Sequence, residues 1–184
     1  MGSANWHIVL QHVRVMLGLA LWFAPASGAT LELLSLNDLV GKSSAIVEAQ
    51  VTGSAASYSG SVIYTHYQMG VLAQWKGVAQ AAIDVLVPGG TANGMRQTYP
   101  GAPQLIVGQR YVLFLWTSNK GATYTLGLTQ GVFSLLTDSS GNVSAVQMAT
   151  TETILSPGTG QAVKNQPIGM PLPQLISAIA AGAH

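Results

Sequence analysis

The stretch Arg110-Tyr111-Val112-Leu113-Phe114-Leu115-Trp116 decides the fold of this chain. It is a nearly continuous apolar run of strand length. A strand with one solvent-facing side alternates apolar and polar residues, whereas a strand that is buried on both sides is apolar throughout. We therefore predict that residues 110–116 form a strand buried on both faces, at the centre of a small barrel or sheet.

Outward from this run, the chain carries six further strand patterns that are separated by turn-forming residues. The predicted strands are residues 46–51, 62–75, 83–87, 124–128, 132–136 and 143–148. The Gly/Ser/Ala-rich run 53–60 is expected to end the first of them. The connections 88–108 and 150–170 are expected to be irregular.

Short helices are predicted before and after the strands. Ser35 followed by Asp38 is typical of a helix N-terminus, and apolar residues at helical spacing extend the helix over residues 36–42. A second helix is predicted over residues 171–181, with prolines in its first turn and an apolar stripe. The sum is a mainly β chain: a small OB-like Greek-key barrel with extra hairpin strands, a short N-terminal helix and a C-terminal helix. A β-sandwich is the alternative.

The first 29 residues have the pattern of a secretory signal peptide. Arg14 precedes an apolar run from Val15 to Ala24, and the small residues Ala26-Ser27-Gly28-Ala29 follow, in the order that signal peptidase reads. The alternative is a membrane anchor, which needs about 20 apolar residues. This run is shorter, and Pro25 breaks it.

We predict cleavage between Ala29 and Thr30, with Ala26 as the second choice. The mature chain, residues 30–184, is then a single secreted or periplasmic domain with no stable membrane span after processing. Loss of Arg14 leaves six of the seven basic residues, equal in number to the acidic ones. Such a neutral surface has no electrostatic attraction for nucleic acid, so no nucleic-acid partner is expected. The chain has no cysteine, which excludes thiolate chemistry and Cys-ligated metals.

Residues able to catalyse a reaction are sparse and do not form a known motif. His66 is the only internal histidine of the mature chain, since His184 is its last residue. It falls in the middle of a predicted strand and is expected to be either a surface residue or one whose hydrogen bonds are satisfied. The carboxylates are single and scattered, and no Gly-x-Ser-x-Gly motif is present. Asp138-Ser139-Ser140-Gly141 is expected to be a turn rather than a calcium loop. We predict no catalytic residue, no metal site and no cofactor.

The connection 88–108 is the candidate recognition segment. Connections of this length within a compact domain tend to be functional. Arg96, Gln97 and Tyr99 bring together a cation, an amide and an amphipathic ring, which suit a binding surface. We predict these three as ligand-binding residues. The alternative is a structural segment that folds over one end of the barrel, with Met95 and Tyr99 buried.

Four stretches resemble a family of uncharacterised secreted bacterial proteins: SAIVEAQV, IYTHYQMGVLAQWKG, IDVLVPGG and GQRYVLFL. The resemblance covers most of the mature chain, and the part from PGG through YPGAP to VGQRYVLFL is the most specific. A weaker likeness is to the netrin-like module of the tissue inhibitors of metalloproteinases. It rests on a long strand that ends in Trp75-Lys76-Gly77 and on a later strand with the pattern Gly-x-x-Tyr, here Gly108 to Tyr111. This likeness implies an OB-type barrel. Those inhibitors act through an N-terminal cysteine that this chain lacks, so no functional residue is carried over.

The sequence thus predicts a secreted, non-enzymatic binding module. A secreted protein, such as a protease, is the expected partner, and a glycan is the next choice. Two other functions stay open: a small hydrolase with a non-standard site that uses His66, and a structural component of the cell envelope.

Overall fold

The computed structural model describes residues 30–150, 152–164 and 166–182. The predicted signal peptide and Ala29 lie outside these ranges, and cleavage before Thr30 stays a prediction. Within the ranges the chain is mainly β, as predicted. The strands are β1 Thr30–Glu32, β2 Ala45–Ser59, β3 Val62–Lys76, β4 Ala82–Pro88, β5 Gly90–Ala92, β6 Met95–Gln97, β7 Arg110–Thr117, β8 Thr123–Thr125, β9 Val132–Thr137, β10 Val143–Gln147, β11 Thr153–Leu155, β12 Ala162–Val163 and β13 Gly169–Pro171. The helices are α1 Leu36–Lys42, a 3-10 helix Leu128–Gly131 and α2 Leu172–Gly182.

Five strands form a partly closed barrel. β2 lies between β3 and β7, β3 pairs with β4, and β8 joins β4 to β7. All of these pairs are antiparallel except β4–β8, which is a short parallel pair of Val85 with Thr123 and Leu86 with Tyr124. Among the five barrel strands, counted in chain order, the first (β2) therefore neighbours the second (β3) and the fourth (β7). The third (β4) runs parallel to the fifth (β8). This is the arrangement of an OB-like Greek-key barrel, and the closing pairs favour it over the sandwich.

β7 is buried on both faces, as its apolar run predicts. Tyr111, Leu113 and Leu115 face the barrel interior, where they pack with apolar residues of β2, β3 and β4. Val112 and Phe114 face the other way, into a second core beneath α1 and α2. β7 thus forms one wall of both cores.

We call this second core the outer core. It packs the two helices and the strands β9 and β10 against the barrel. The Phe114 and Phe133 rings lie 5.6 Å apart between their centroids. Leu175 and Ile179 of α2 are completely or almost completely buried on the same side. Arg110, at the start of β7, donates through Nε to the buried carboxylate of Glu48 over 3.0 Å.

α1 has the predicted bounds and the predicted cap. The Asp38 N–H donates to Ser35 Oγ, and the Ser35 N–H donates back to the Asp38 carboxylate. Hydrogen bonds from the side chain and backbone of Ser35 hold the pKa of Asp38 below its ordinary value. α2 is also present, but it begins at Leu172 because Pro171 is the last residue of β13.

The expected end of the first long strand was wrong. β2 continues through the small residues to Ser59, and with β3 it forms one hairpin around the two-residue turn Gly60-Ser61. Gly60 has a φ of 64°, a conformation that glycine adopts without strain. Pairing along the hairpin outweighs the weak strand preference of these small residues.

The segment 88–108 is not irregular throughout, which corrects the second expectation. β5 and β6 form a hairpin whose turn is Asn93-Gly94. Both turn residues have positive φ, 50° and 75°, as a two-residue hairpin turn requires.

Two further expectations were wrong near the C-terminal part of the chain. The return strand predicted over 124–128 is the shorter β8, and a 3-10 helix follows it. The connection 150–170 contains β11 and β12 and the first residues of β13, and β11 pairs in parallel with β1. These strands of two or three residues are too short to show a sequence period.

We predict that Phe114→Ala lowers the free energy of unfolding by about 3–5 kcal/mol, because it removes a fully buried ring from the outer core. Urea unfolding followed by circular dichroism measures this change. Leu136→Ala is the control, since that side chain on β9 is 55% exposed, and it should cost less than about 1 kcal/mol. Equal losses in the two variants would contradict the double burial of β7.

Candidate functional site

One end of the barrel is open, and the predicted recognition segment folds over it. A cavity of about 320 Å³ lies between them. The barrel contributes Thr65, Tyr67 and Val87 to its lining, and the segment contributes residues 88–91, 96–99 and 102–106. We call this cavity the mouth groove. Cavities of roughly this size in the mouths of barrels are common ligand sites.

Two buried tyrosines of the barrel accept hydrogen bonds from the part of the segment that contains residues 102–106. The Leu105 N–H donates to Tyr67 Oη over 3.3 Å, and the Ile106 N–H donates to Tyr111 Oη over 3.1 Å. Tyr67 and Tyr111 come from the barrel wall and are 7% and 2% exposed. The groove is therefore preformed by contacts to the core.

Gln97 lies in the mouth groove, but both ends of its side chain are engaged by the β2–β3 hairpin. Its Oε1 accepts from the Ile63 N–H over 2.7 Å, and its Nε2 donates to the Ser61 carbonyl over 2.9 Å. Gln97 thus anchors β6 to the tip of the hairpin. A ligand could use this amide only by replacing one of these bonds.

Arg96 and Tyr99 also line the mouth groove and are both exposed. Arg96 forms no salt bridge with any residue that the structure describes. Tyr99 is 37% exposed and Met95 is 59% exposed, so the alternative in which both are buried was wrong. The structure therefore brings the three predicted binding residues to one groove, where Arg96 and Tyr99 present groups to solvent.

Large apolar side chains are exposed around the groove. Tyr99 and Ile106 line the groove and are 37% and 58% exposed, and Met95 and Val107, each next to a lining residue in sequence, are 59% and 54% exposed. Aromatic residues, methionine and arginine are the types enriched in protein–protein contacts. The exposed residues around the groove are therefore of the types that are common in protein–protein contacts.

A second cluster of polar residues lies on the outer surface of β2, β3 and β4. Ser57 Oγ is 3.2 Å from His66 Nε2, and His66 Nδ1 is 2.8 Å from an Asp84 carboxylate oxygen. Both ring nitrogens of His66 therefore have hydrogen-bond partners, so the histidine is a satisfied one, which was one of the two alternatives expected from the sequence. An ionised carboxylate only accepts, so Nδ1 carries the proton towards Asp84, and Nε2 of the neutral ring accepts from Ser57.

An aromatic row continues the same surface across the barrel. The Tyr64 ring lies 6.0 Å from Tyr124 in an edge-to-face contact, and Tyr124 stacks on Trp116 at 5.9 Å between centroids. Tyr64 is directly opposite Ser57 in the hairpin. We call the three polar residues and this row together the side face. Sequence reasoning missed it because the contact between Ser57 and His66 depends on where the hairpin turns.

Metal and membrane features are limited within the described residues. Asp138 accepts from the backbone of Ser140 and from both the backbone and the side chain of Asn142, so its carboxylate serves the predicted turn. The Asn142 bonds, its side chain first, hold the pKa of Asp138 below the ordinary value. Across 30–150, 152–164 and 166–182, no three His, Asp or Glu residues cluster as metal ligands. In the same ranges, no helix has the length and apolar character to cross a membrane.

Known proteins give no further guide: no family model, curated protein or solved structure matches the chain. The resemblances drawn from the sequence motifs therefore stay predictions.

We predict that Gln97→Ala lowers the free energy of unfolding by about 1–3 kcal/mol, because the Ile63 N–H loses its acceptor. Gln104→Ala is the matched control, since this glutamine is exposed in the same groove, and its effect should stay within about 0.5 kcal/mol. Chemical unfolding of both variants measures the difference. Equal stabilities would mean that Gln97 does not anchor the groove.

Proposed function

We propose that this domain is a secreted binding module that holds a segment of another secreted protein in the mouth groove. The observation that carries the proposal is the exposed pair of Arg96 and Tyr99 at a groove that is held open by core tyrosines. A preformed site loses little conformational entropy on binding, which favours affinity.

The chemistry of the groove favours a peptide segment. Arg96 offers several N–H donors to a carboxylate or to main-chain carbonyls, and no described acidic residue competes for it. Tyr99 and Ile106, which line the same groove, offer apolar contact. We therefore expect the bound segment to combine an acidic or carbonyl group with an apolar side chain.

The mouth groove itself is suited to binding rather than to reaction. Its lining contains no histidine or carboxylate that could transfer a proton. Arginine stays protonated, and tyrosine ordinarily titrates near pH 10. We therefore propose that this groove binds its ligand without catalysing a reaction.

We predict that the double variant Arg96→Ala, Tyr99→Ala loses its partner while keeping its fold. Arg96 is exposed and Tyr99 is 37% exposed, so the variant should stay folded with only a modest loss of thermal stability. Tyrosine and arginine are frequent hot spots, so we expect the Kd to rise by about 30-fold or more. Affinity capture from the secreted proteins of the source organism, followed by titration of the captured species, measures the loss. Gln97 is left intact because it holds the groove together.

Lys120→Ala is the matched control for the loss of a cation. β7 starts beside the mouth and runs away from it, so the turn that carries Lys120 lies at the opposite end of the barrel. This variant should capture the partner as the wild type does. Undiminished capture by the Arg96, Tyr99 variant would contradict the proposal. Capture that survives protease digestion of the secreted fraction would assign a glycan instead.

A further inference from the structure

We propose that the side face carries a hydrolytic site with Ser57 as the nucleophile, His66 as the general base and Asp84 as the positioning residue. Its substrates are carboxylic esters of ring-bearing alcohols. None of these residues lines the mouth groove, so this activity is independent of the binding function proposed above.

The hydrogen-bond chain has the order and the lengths that activate a serine. Asp84 fixes the His66 ring through Nδ1 over 2.8 Å, which leaves Nε2 to accept the Ser57 proton over 3.2 Å. A nucleophile and a base within hydrogen-bond reach, with the base oriented by a third group, are the common signature of covalent acyl transfer. The three residues come from three adjacent strands, so the barrel wall sets their spacing.

The site is open to substrate. Ser57 is exposed, and the side chains of His66 and Asp84 are 32% and 48% exposed. The three side chains therefore meet on the surface of the barrel, where an ester can reach the serine oxygen directly.

A backbone donor lies beside the nucleophile. Tyr58 faces Ile63 in the hairpin, and both backbone groups of Ile63 bond away from Tyr58, to Gln97 and Gly89. The Tyr58 N–H therefore also points away from β3. β2 pairs with β7 only over residues 45–50, so the described strands leave this edge of Tyr58 open. The N–H can donate to the carbonyl oxygen of an ester bound across the strand, where negative charge develops during attack.

The aromatic row indicates the class of alcohol. Tyr64 stands directly opposite Ser57, and Tyr124 and Trp116 extend the row away from the polar cluster. Trp116 is 47% exposed, so it presents ring surface to a ligand. Stacking on these faces favours an aromatic or sugar ring in the alcohol part of the ester.

The reaction balances with water as the second reactant. His66 Nε2 takes the Ser57 proton as Oγ bonds to the acyl carbon, and the bond from that carbon to the alcohol oxygen breaks. His66 then gives the proton to the departing alcohol. Water attacks the acyl-serine, His66 takes a proton from it, and that proton returns to Ser57 Oγ as the carboxylic acid leaves.

Two probes test this site in the whole domain: a fluorophosphonate that labels activated serines, and 2-naphthyl acetate as the ester. We expect the label on Ser57, mapped by mass spectrometry of peptides. Ser57→Ala and His66→Ala should each lower kcat/KM by about 100-fold or more. Ser59→Ala is the matched control, because this exposed serine lies two residues away on the same strand, and it should behave as the wild type.

Two more variants separate positioning and substrate binding from folding. Asp84→Asn should slow both labelling and hydrolysis, and Asp84→Glu should restore part of each, because a carboxylate can again orient the ring. Tyr64→Ala should raise KM for 2-naphthyl acetate with kcat unchanged, because Tyr64 is the aromatic residue opposite Ser57, and it should leave hydrolysis of ethyl acetate unaffected. Thermal unfolding confirms that each variant is folded.

The proposal is overturned if Ser57 takes no label. It is also overturned if Ser57→Ala hydrolyses the ester at the wild-type rate while His66→Ala does not, since the imidazole then acts alone on an activated ester. Equal KM values for wild type and Tyr64→Ala would overturn the assigned alcohol class.

Discussion

The burial of β7 on both faces is the constraint on which the rest of this structure depends. One edge of this strand pairs with β2, and the other is shared by β9 over its first half and β8 over its second half. Its side chains alternate between the interior of the barrel and the core beneath the helices. The loss of a single large side chain from this strand would leave a void either in the barrel interior or in the core beneath the two helices.

The mouth groove and the side face follow from the same barrel in different ways. The mouth groove exists because Tyr67 and Tyr111, which are parts of the inner core, accept hydrogen bonds from the segment that crosses the open end. The side face exists because outward positions on β2, β3 and β4 fall next to one another in a fixed register. In both cases the rigid barrel strands position groups that are exposed to solvent, as is common in binding and catalytic domains.

Much of the fold could be predicted from the sequence, because its strongest elements have strong local signals. The continuous apolar run of β7, the cap formed by Ser35 and Asp38, and the apolar stripe of α2 each depend on neighbours in sequence. The errors fell where pairing overrides composition, as in the Gly/Ser/Ala half of β2, or where elements have only two or three residues. Asn93-Gly94 was a usable turn signal, but its flanking strands are too short to alternate visibly. The loop residues of the mouth groove were found from their chemistry, whereas the partners of His66 depend on a register across three strands that the sequence does not display.

Amide hydrogen exchange of β7 tests the central claim, that this one strand holds both cores together. If it does, the amides of Val112, Leu113 and Phe114 can exchange only when the whole domain unfolds. Their opening free energies should then equal the global free energy of unfolding from urea titration, and they should exceed those of the β5–β6 hairpin. Exchange at these three amides well above the rate set by global unfolding would contradict the account.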